Sequence, residues 1–318
     1  VRARQQVEFL IGLQCGQDPD VRQRLAELHL EAGDRATAAA TYSEIAGQYD
    51  SQGQLAQAQQ ALERALEIHP EQTDLRKRLI ELHEKSGQRE QVLSERLSLL
   101  ESLLAQGQNE EARAECRRLV SVVRTKPVHA GKLAQLCTRL GEHGIAYTLH
   151  MVMARQAAEE NKTDEALKAC SQAQASQPEE PASYELQVEL LLKSDNSREA
   201  VAQLRELAAV HQRKRATTKQ IETLRRVMQL LPEDVSVRED LIACLGRQGE
   251  QEPLLKERVA LARLHRKAGR MEQSLQQYQQ VLERKPLQFA LILEAVDVHA
   301  EMAGLSAALD FCVEQARI

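Results

Sequence analysis

Apolar residues recur three and four positions apart along the chain, and the stripes they form are broken at regular places by glycine or proline. Leu25, Leu28 and His29 mark one stripe, on a helix predicted from Asp20 to Ala32 and closed at Gly33. A second helix, about residues 36–51, turns Ala38, Tyr42, Ile45, Ala46 and Tyr49 inward and ends before Gly53. A third, about residues 55–68, carries Ala58, Leu62, Ala65 and Leu66 on one side and stops at Pro70, which cannot continue a helix interior.

This three-helix order repeats. Gly33, Gly87, Gly141 and Gly249 fall on a 54-residue comb whose remaining place is held by Asp195. Gly53, Gly107 and Gly269 fall on a second comb, with Asn161 and Arg215 in its other places, and Pro70, Pro178, Pro232 and Pro286 on a third. Glycine and proline sit where backbone geometry demands them, so three combs of one period predict an array. Core positions repeat as well: Ala46, Leu100, Ala154, Ala208 and Ala262 on second helices, and Ala65, Leu119, Ala173, Val227 and Val281 on third helices. On this register residues 1–18 are the last helix of a truncated unit. Residues 19–72, 73–126, 127–180, 181–234 and 235–288 are full units, and 289–318 a partial one, all in a single solenoid. Neither end shows a polar capping unit, so a longer parent protein is expected.

Within residues 39–70, Ile45-Ala46, Tyr49, Gly53, Ala58, Leu62, Ala65 and Pro70 fall at the spacing of the tetratricopeptide repeat signature, and the stretch closely resembles that family. A softer copy occurs at Ala262, His265, Gly269, Ser274, Tyr278, Val281 and Pro286. Gly107, Ala112 and Cys116 form a weaker one, with its proline late at Pro127. The family's period is about 34 residues with two helices; here steps of 34 and 20 alternate, so that the second helix of each unit serves two pairs. The resemblance implies an all-α fold, a right-handed superhelical α-solenoid, with a concave face that holds a peptide or a partner's helix.

Composition agrees with a helical array. Ala, Leu, Gln, Glu and Arg dominate, aromatics make up 3% and tryptophan is absent. A net charge of −5 is too mild, and of the wrong sign, for a general nucleic-acid or membrane binder. No apolar run approaches the roughly 18 residues of a membrane span, and the chain opens on no signal-peptide pattern, although Val1 can follow a removed segment. The six cysteines, Cys15, Cys116, Cys137, Cys170, Cys244 and Cys312, show no CxxC pair, and most stand at core positions. Read as small hydrophobes, they suit a reducing compartment, and a cytoplasmic location is expected.

No GxGxxG, GxxxxGK[ST], HExxH, GxSxG or EF-hand pattern is present, which predicts no catalytic activity, no cofactor and no metal. His29, His83 and His299 share one register position on first helices, and His211 and His265 share one on second helices, so packing explains them better than ligation. His143 and His150 lie near Cys137, yet a closed zinc site needs about four ligands. The basic run His211, Arg213, Lys214, Arg215 and Lys219 lacks the interleaved aromatics of a single-strand binder and reads as a solvated helix end, followed by a capping box at Thr217 and Gln220.

One pattern points outward. Glu27, Glu81, Glu189 and Asp297 occupy a single first-helix position, with Gln135 and Ala243 in the gaps. By the resemblance that position faces the groove, where an acidic column favours a basic or N-terminally charged ligand. The alternative is that these carboxylates are solvated or pair with Arg24, Arg78 and Arg139. Two functions follow: a noncatalytic protein-interaction scaffold, or the regulatory arm of a signalling or transcription protein whose effector domain lies outside this chain. An RNA-binding helical repeat would want a positive groove instead.

Overall fold

The computed structural model describes residues 18–123, 127–286 and 288–315. The helix expected over residues 1–18 falls, but for Asp18, outside them, as does Cys15. Among the described residues the chain forms 17 α-helices and no strand. By its contacts it divides into two compact units, Val1–Met153 and Ala154–Ile318.

The first unit holds α1 (Pro19–Glu31), α2 (Arg35–Ser51), α3 (Leu55–Ile68), α4 (Thr73–Lys85), α5 (Arg89–Ala105) and α6 (Asn109–Val123). A 3-10 turn (Pro127–His129), α7 (Ala130–Arg139) and the larger part of α8 (His143–Glu159) complete it. Each helix packs chiefly on its neighbours in sequence, and two apolar clusters result. One gathers Ala26, Ile45, Ala46, Leu62, Ala65 and Leu79, the other Leu97, Leu100, Leu119, Leu133 and Leu149. The second unit continues with α9 (Thr163–Ser176), α10 (Pro181–Lys193), α11 (Ser197–Arg213), α12 (Thr217–Leu230), α13 (Val235–Gln248), α14 (Gln251–Lys267), α15 (Met271–Leu282), α16 (Phe289–Ala303) and α17 (Leu305–Gln315). Its clusters form around Leu204, Leu224, Val227 and Leu241, and around Ala262, Tyr278, Val281 and Val298.

The punctuation acts through the backbone. Gly33 takes φ +79°, its N–H bonds to the Leu30 carbonyl, and the next N–H, from Asp34, bonds to the His29 carbonyl, which satisfies carbonyls the helix end leaves unpaired. The same pair of bonds recurs after α2 at Gly53 and after α4 at Gly87. Asn161, Asp195 and Arg215, which hold glycine places in the sequence combs, are the non-glycine residues with positive φ among those described, at 59°, 58° and 56°. The helices α2, α5, α8, α11 and α14 all span 17 residues, and their starts at Arg35, Arg89, His143, Ser197 and Gln251 are 54 residues apart.

Local chemistry adjusts the ends. Pro19, lacking an N–H, fits the first turn of α1, so the helix starts one residue before Asp20, and Asp18 caps it by accepting from the Asp20 N–H at 3.1 Å. Asp34 and Asp234 accept from the N–H groups of Thr37 and Val237. The capping box expected at Thr217 and Gln220 does not form: Thr217 is already inside α12, Ala216 is the N-cap, and Gln220 is buried. An ion pair then ties successive helices in each unit. Arg76 bonds to Glu95 at 2.7 Å and to the Pro70 carbonyl at 2.9 Å; Arg238 repeats both contacts with Glu257 and the Pro232 carbonyl.

Candidate functional site

The expected core is buried. Ala46, Leu100, Ala154, Ala208 and Ala262 are inaccessible or nearly so, as are Ala65, Leu119, Ala173, Val227 and Val281. Where these positions carry alanine, the helix backbones can approach closely. The register histidines are core residues too. His29 Nδ1 lies 3.7 Å from Asp34 and His83 Nδ1 lies 2.5 Å from Gln88 Oε1, in each case the N-cap of the following helix. His211 and His265 are buried on second helices, and half-buried His299 packs on Phe311 with ring centroids 4.5 Å apart. Burial lowers the pKa of His150, His211, His265 and His299, because the charged form is the one that loses solvation.

The cysteines require a correction. Cys116 on α6 and Cys137 on α7, both fully buried, are joined in a disulfide, so these two are not the separate small hydrophobes their positions suggested. Apolar core places in adjacent helices are neighbours in space, and two cysteines set there can bond. Cys170 and Cys244 remain buried thiols, and burial pushes that of Cys170 up to about 11.

The acidic first-helix positions separate into two kinds. Glu27 pairs with Arg24 at 2.7 Å, and Asp297 lies 3.9 Å from an Arg266 that also bonds Glu301. Glu81 and Glu189 are exposed, and among the described residues neither has an ion-pair partner. Arg78, one turn from Glu81, donates instead to the Ser43 hydroxyl at 2.5 Å, and Lys85 pairs with Asp50 at 2.8 Å. Gln135 and Ala243 are exposed in the same register. The basic run near residue 213 is partly committed, since Arg213 bonds Glu179 at 2.7 Å and Lys214 bonds Glu180 at 2.9 Å.

Sequence reasoning did not single out a cleft of roughly 700 Å³ in the first unit. The end of α4 with the turn that follows it (His83, Glu84, Gly87), the first half of α5 (Arg89, Val92, Leu93, Arg96) and the second half of α6 (Arg118, Leu119, Val122) line it. Arg96 donates to Glu115 at 2.6 Å and to Glu84 at 2.7 Å; burial opposes its charge, but these two bonds outweigh burial and hold the guanidinium protonated. Its register counterpart in the first repeat is Tyr42.

Stacked helical hairpins with recurrent left-handed closures and small-residue crossings define a helical-repeat protein. Tetratricopeptide repeat family models match residues 20–51, covering α1 and α2, and residues 51–94, covering α3, α4 and the start of α5, so residues 20–94 carry tetratricopeptide repeats. No curated protein matches its sequence. Solved structures similar to it include Naa15/Naa10 bound to HypK-THB, at 14% identity over 97% of this chain and 59% of that one, with a TM-score of 0.24. The TPR domain of P58(IPK) is 13% identical over 93% of this chain and 99% of that one, with a TM-score of 0.23. YrrB, described as a TPR protein with an unusual peptide-binding site, is 14% identical over 51% of this chain and 89% of its own, with a TM-score of 0.23. The chain thus spans 59% of the length of the Naa15/Naa10 chain it matches. No helix among the described residues is long and apolar enough to cross a membrane.

Proposed function

We propose that this chain is a noncatalytic protein-interaction scaffold, built of 54-residue three-helix repeats, that takes a segment of a partner protein against its first helices. The positions are Glu27, Glu81 and Gln135 in the first unit and Glu189 and Asp297 in the second. The partner segment is basic or presents its N-terminal amine, and neither a nucleic acid nor a membrane takes part. The observation that carries this reading is the pair Glu81 and Glu189: exposed carboxylates at one register position that no cation of the described residues neutralises. A solvated carboxylate adds little to stability, but it can attract and orient a charged partner.

Reversal of both charges, Glu81→Lys with Glu189→Lys, tests the proposal. The expected result is an unchanged melt, weaker capture of the natural partner and a slower association rate, most marked at low salt. Arg215→Glu with Lys219→Glu serves as the control for charge reversal elsewhere. Loss of the partner with the control pair and its retention with the glutamate pair would move the contact to residues 211–219. As to compartment, the buried thiols Cys170 and Cys244 fit a cytoplasmic setting, whereas the Cys116–Cys137 bond favours an oxidising one. The redox state of that pair in protein drawn from its own cells decides between them.

A further inference from the structure

We propose that the cleft between α4, α5 and α6 is a second docking site, for a partner segment that pairs an apolar side chain with a carboxylate. It is distinct from the acidic first-helix positions and does not depend on them: Glu81 borders a small cavity with Ala46 and Asp50 of α2, while Glu84, one turn on, faces the cleft and Arg96.

A local exchange gives the cleft its charge. In the first repeat Tyr42 stands buried against its neighbours, and in the second the same register position is Arg96, whose guanidinium is drawn to Glu84 and Glu115. Beside this exchange, α5 packs on α6 less extensively than α2 does on α3. A volume of roughly 700 Å³ remains, within the range of ligand sites. Val92, Leu93, Leu119 and Val122 supply its apolar wall, and Val122 is 48% exposed at a position one turn from fully packed Leu119.

Charge sets the rest of the ligand. Arg96 is held between Glu84 and Glu115, and Arg118 lies 3.5 Å from the same Glu115. Three guanidiniums, with Arg89, thus face two carboxylates. Arg89 is exposed at the start of α5 and has no ion-pair partner among the described residues. An incoming carboxylate completes this set beside the apolar wall, whereas a lysine would meet like charge and a purely apolar segment would leave the Arg89 guanidinium without a partner.

The probe is the peptide acetyl-Asp-Phe-Leu-Asp-amide, compared with its Asn-Phe-Leu-Asn and Lys-Phe-Leu-Lys counterparts and with decanoate, by methyl NMR of the intact chain. Saturable shifts are expected at the Val92, Leu93, Leu119 and Val122 methyls with the acidic peptide, with affinity lower by about fivefold for the Asn form and no binding of the Lys form. Arg89→Glu removes the preference for the acidic peptide, and it leaves the helix intact because an acidic residue suits a helix N-terminus. Val122→Glu abolishes binding, with circular dichroism as the check on folding. Equal binding of the three peptides, shifts confined to other methyls, or an unchanged preference in Arg89→Glu would overturn the proposal. Saturation by decanoate with no shift from the acidic peptide would also overturn it, in favour of a small-molecule site.

Discussion

Cys116 is bonded to Cys137 across the connection between α6 and α7, where the proline of the repeat arrives late at Pro127 and the following helix is only 10 residues long. The bond closes a loop of 21 residues in the unfolded chain. Chain-entropy arguments put its contribution at about 3 kcal/mol. Cys116→Ala, Cys137→Ala and reduction of the wild type should each lower stability by an amount of that order, mostly through the first unit. Denaturant melts with and without reductant measure it. A melt indifferent to reductant would mean that packing alone holds α6 against α7.

The left-handed positions yield a second expectation. Arg215 adopts φ +56° where the comb otherwise places glycine or asparagine, and a residue bearing a Cβ is unfavourable there by about 1 kcal/mol. Arg215→Gly should therefore raise stability by up to that amount. Gly107→Ala should lower it comparably, although an added methyl would meet nothing within 4 Å, because the cost is conformational rather than steric. Asn161→Gly should change little, since asparagine tolerates this region. Thermal melts of the three variants separate these outcomes, and a neutral Arg215→Gly would show that local contacts of the arginine offset its backbone cost.

Acid should destabilise the fold before carboxylates begin to protonate. Burial lowers the folded-state pKa of His150, His211, His265 and His299 below the ordinary 6.5, so the unfolded chain binds their protons more tightly. Stability contributed by the neutral rings is complete above about pH 6.5 and falls as pH drops from there toward the folded-state values. Melting temperatures at pH 8, 7, 6 and 5.5 should decline through the last two. His150→Gln, free of that proton, should flatten the slope; an unchanged slope in that variant and in His265→Gln would assign the decline to other groups.

The helix plan was legible in the sequence because the features that write it are local. A left-handed closure needs glycine or a tolerant substitute at the residue itself, and proline cannot continue a helix interior, so Gly33, Gly53 and Pro70 could be read one by one. The small-residue crossings at Ala46, Ala154 and Ala262 followed from helical spacing alone. What lies between helices was not legible. Leu309 is spelled like its register counterparts Leu93, Val201 and Leu255, which are buried, yet it is 65% exposed, because its burial depends on a covering helix and not on its own identity. Glu27 and Glu81 were indistinguishable in sequence; only the positions of Arg24 and of Ser43 beside Arg78 made one carboxylate paired and left the other unpaired. The Cys116–Cys137 bond and the cleft beside Arg96 belong to the same class. Local conformation is fixed by a residue and its near neighbours, whereas pairing, exposure and cavity volume are set by distances between segments that the chain brings together only on folding.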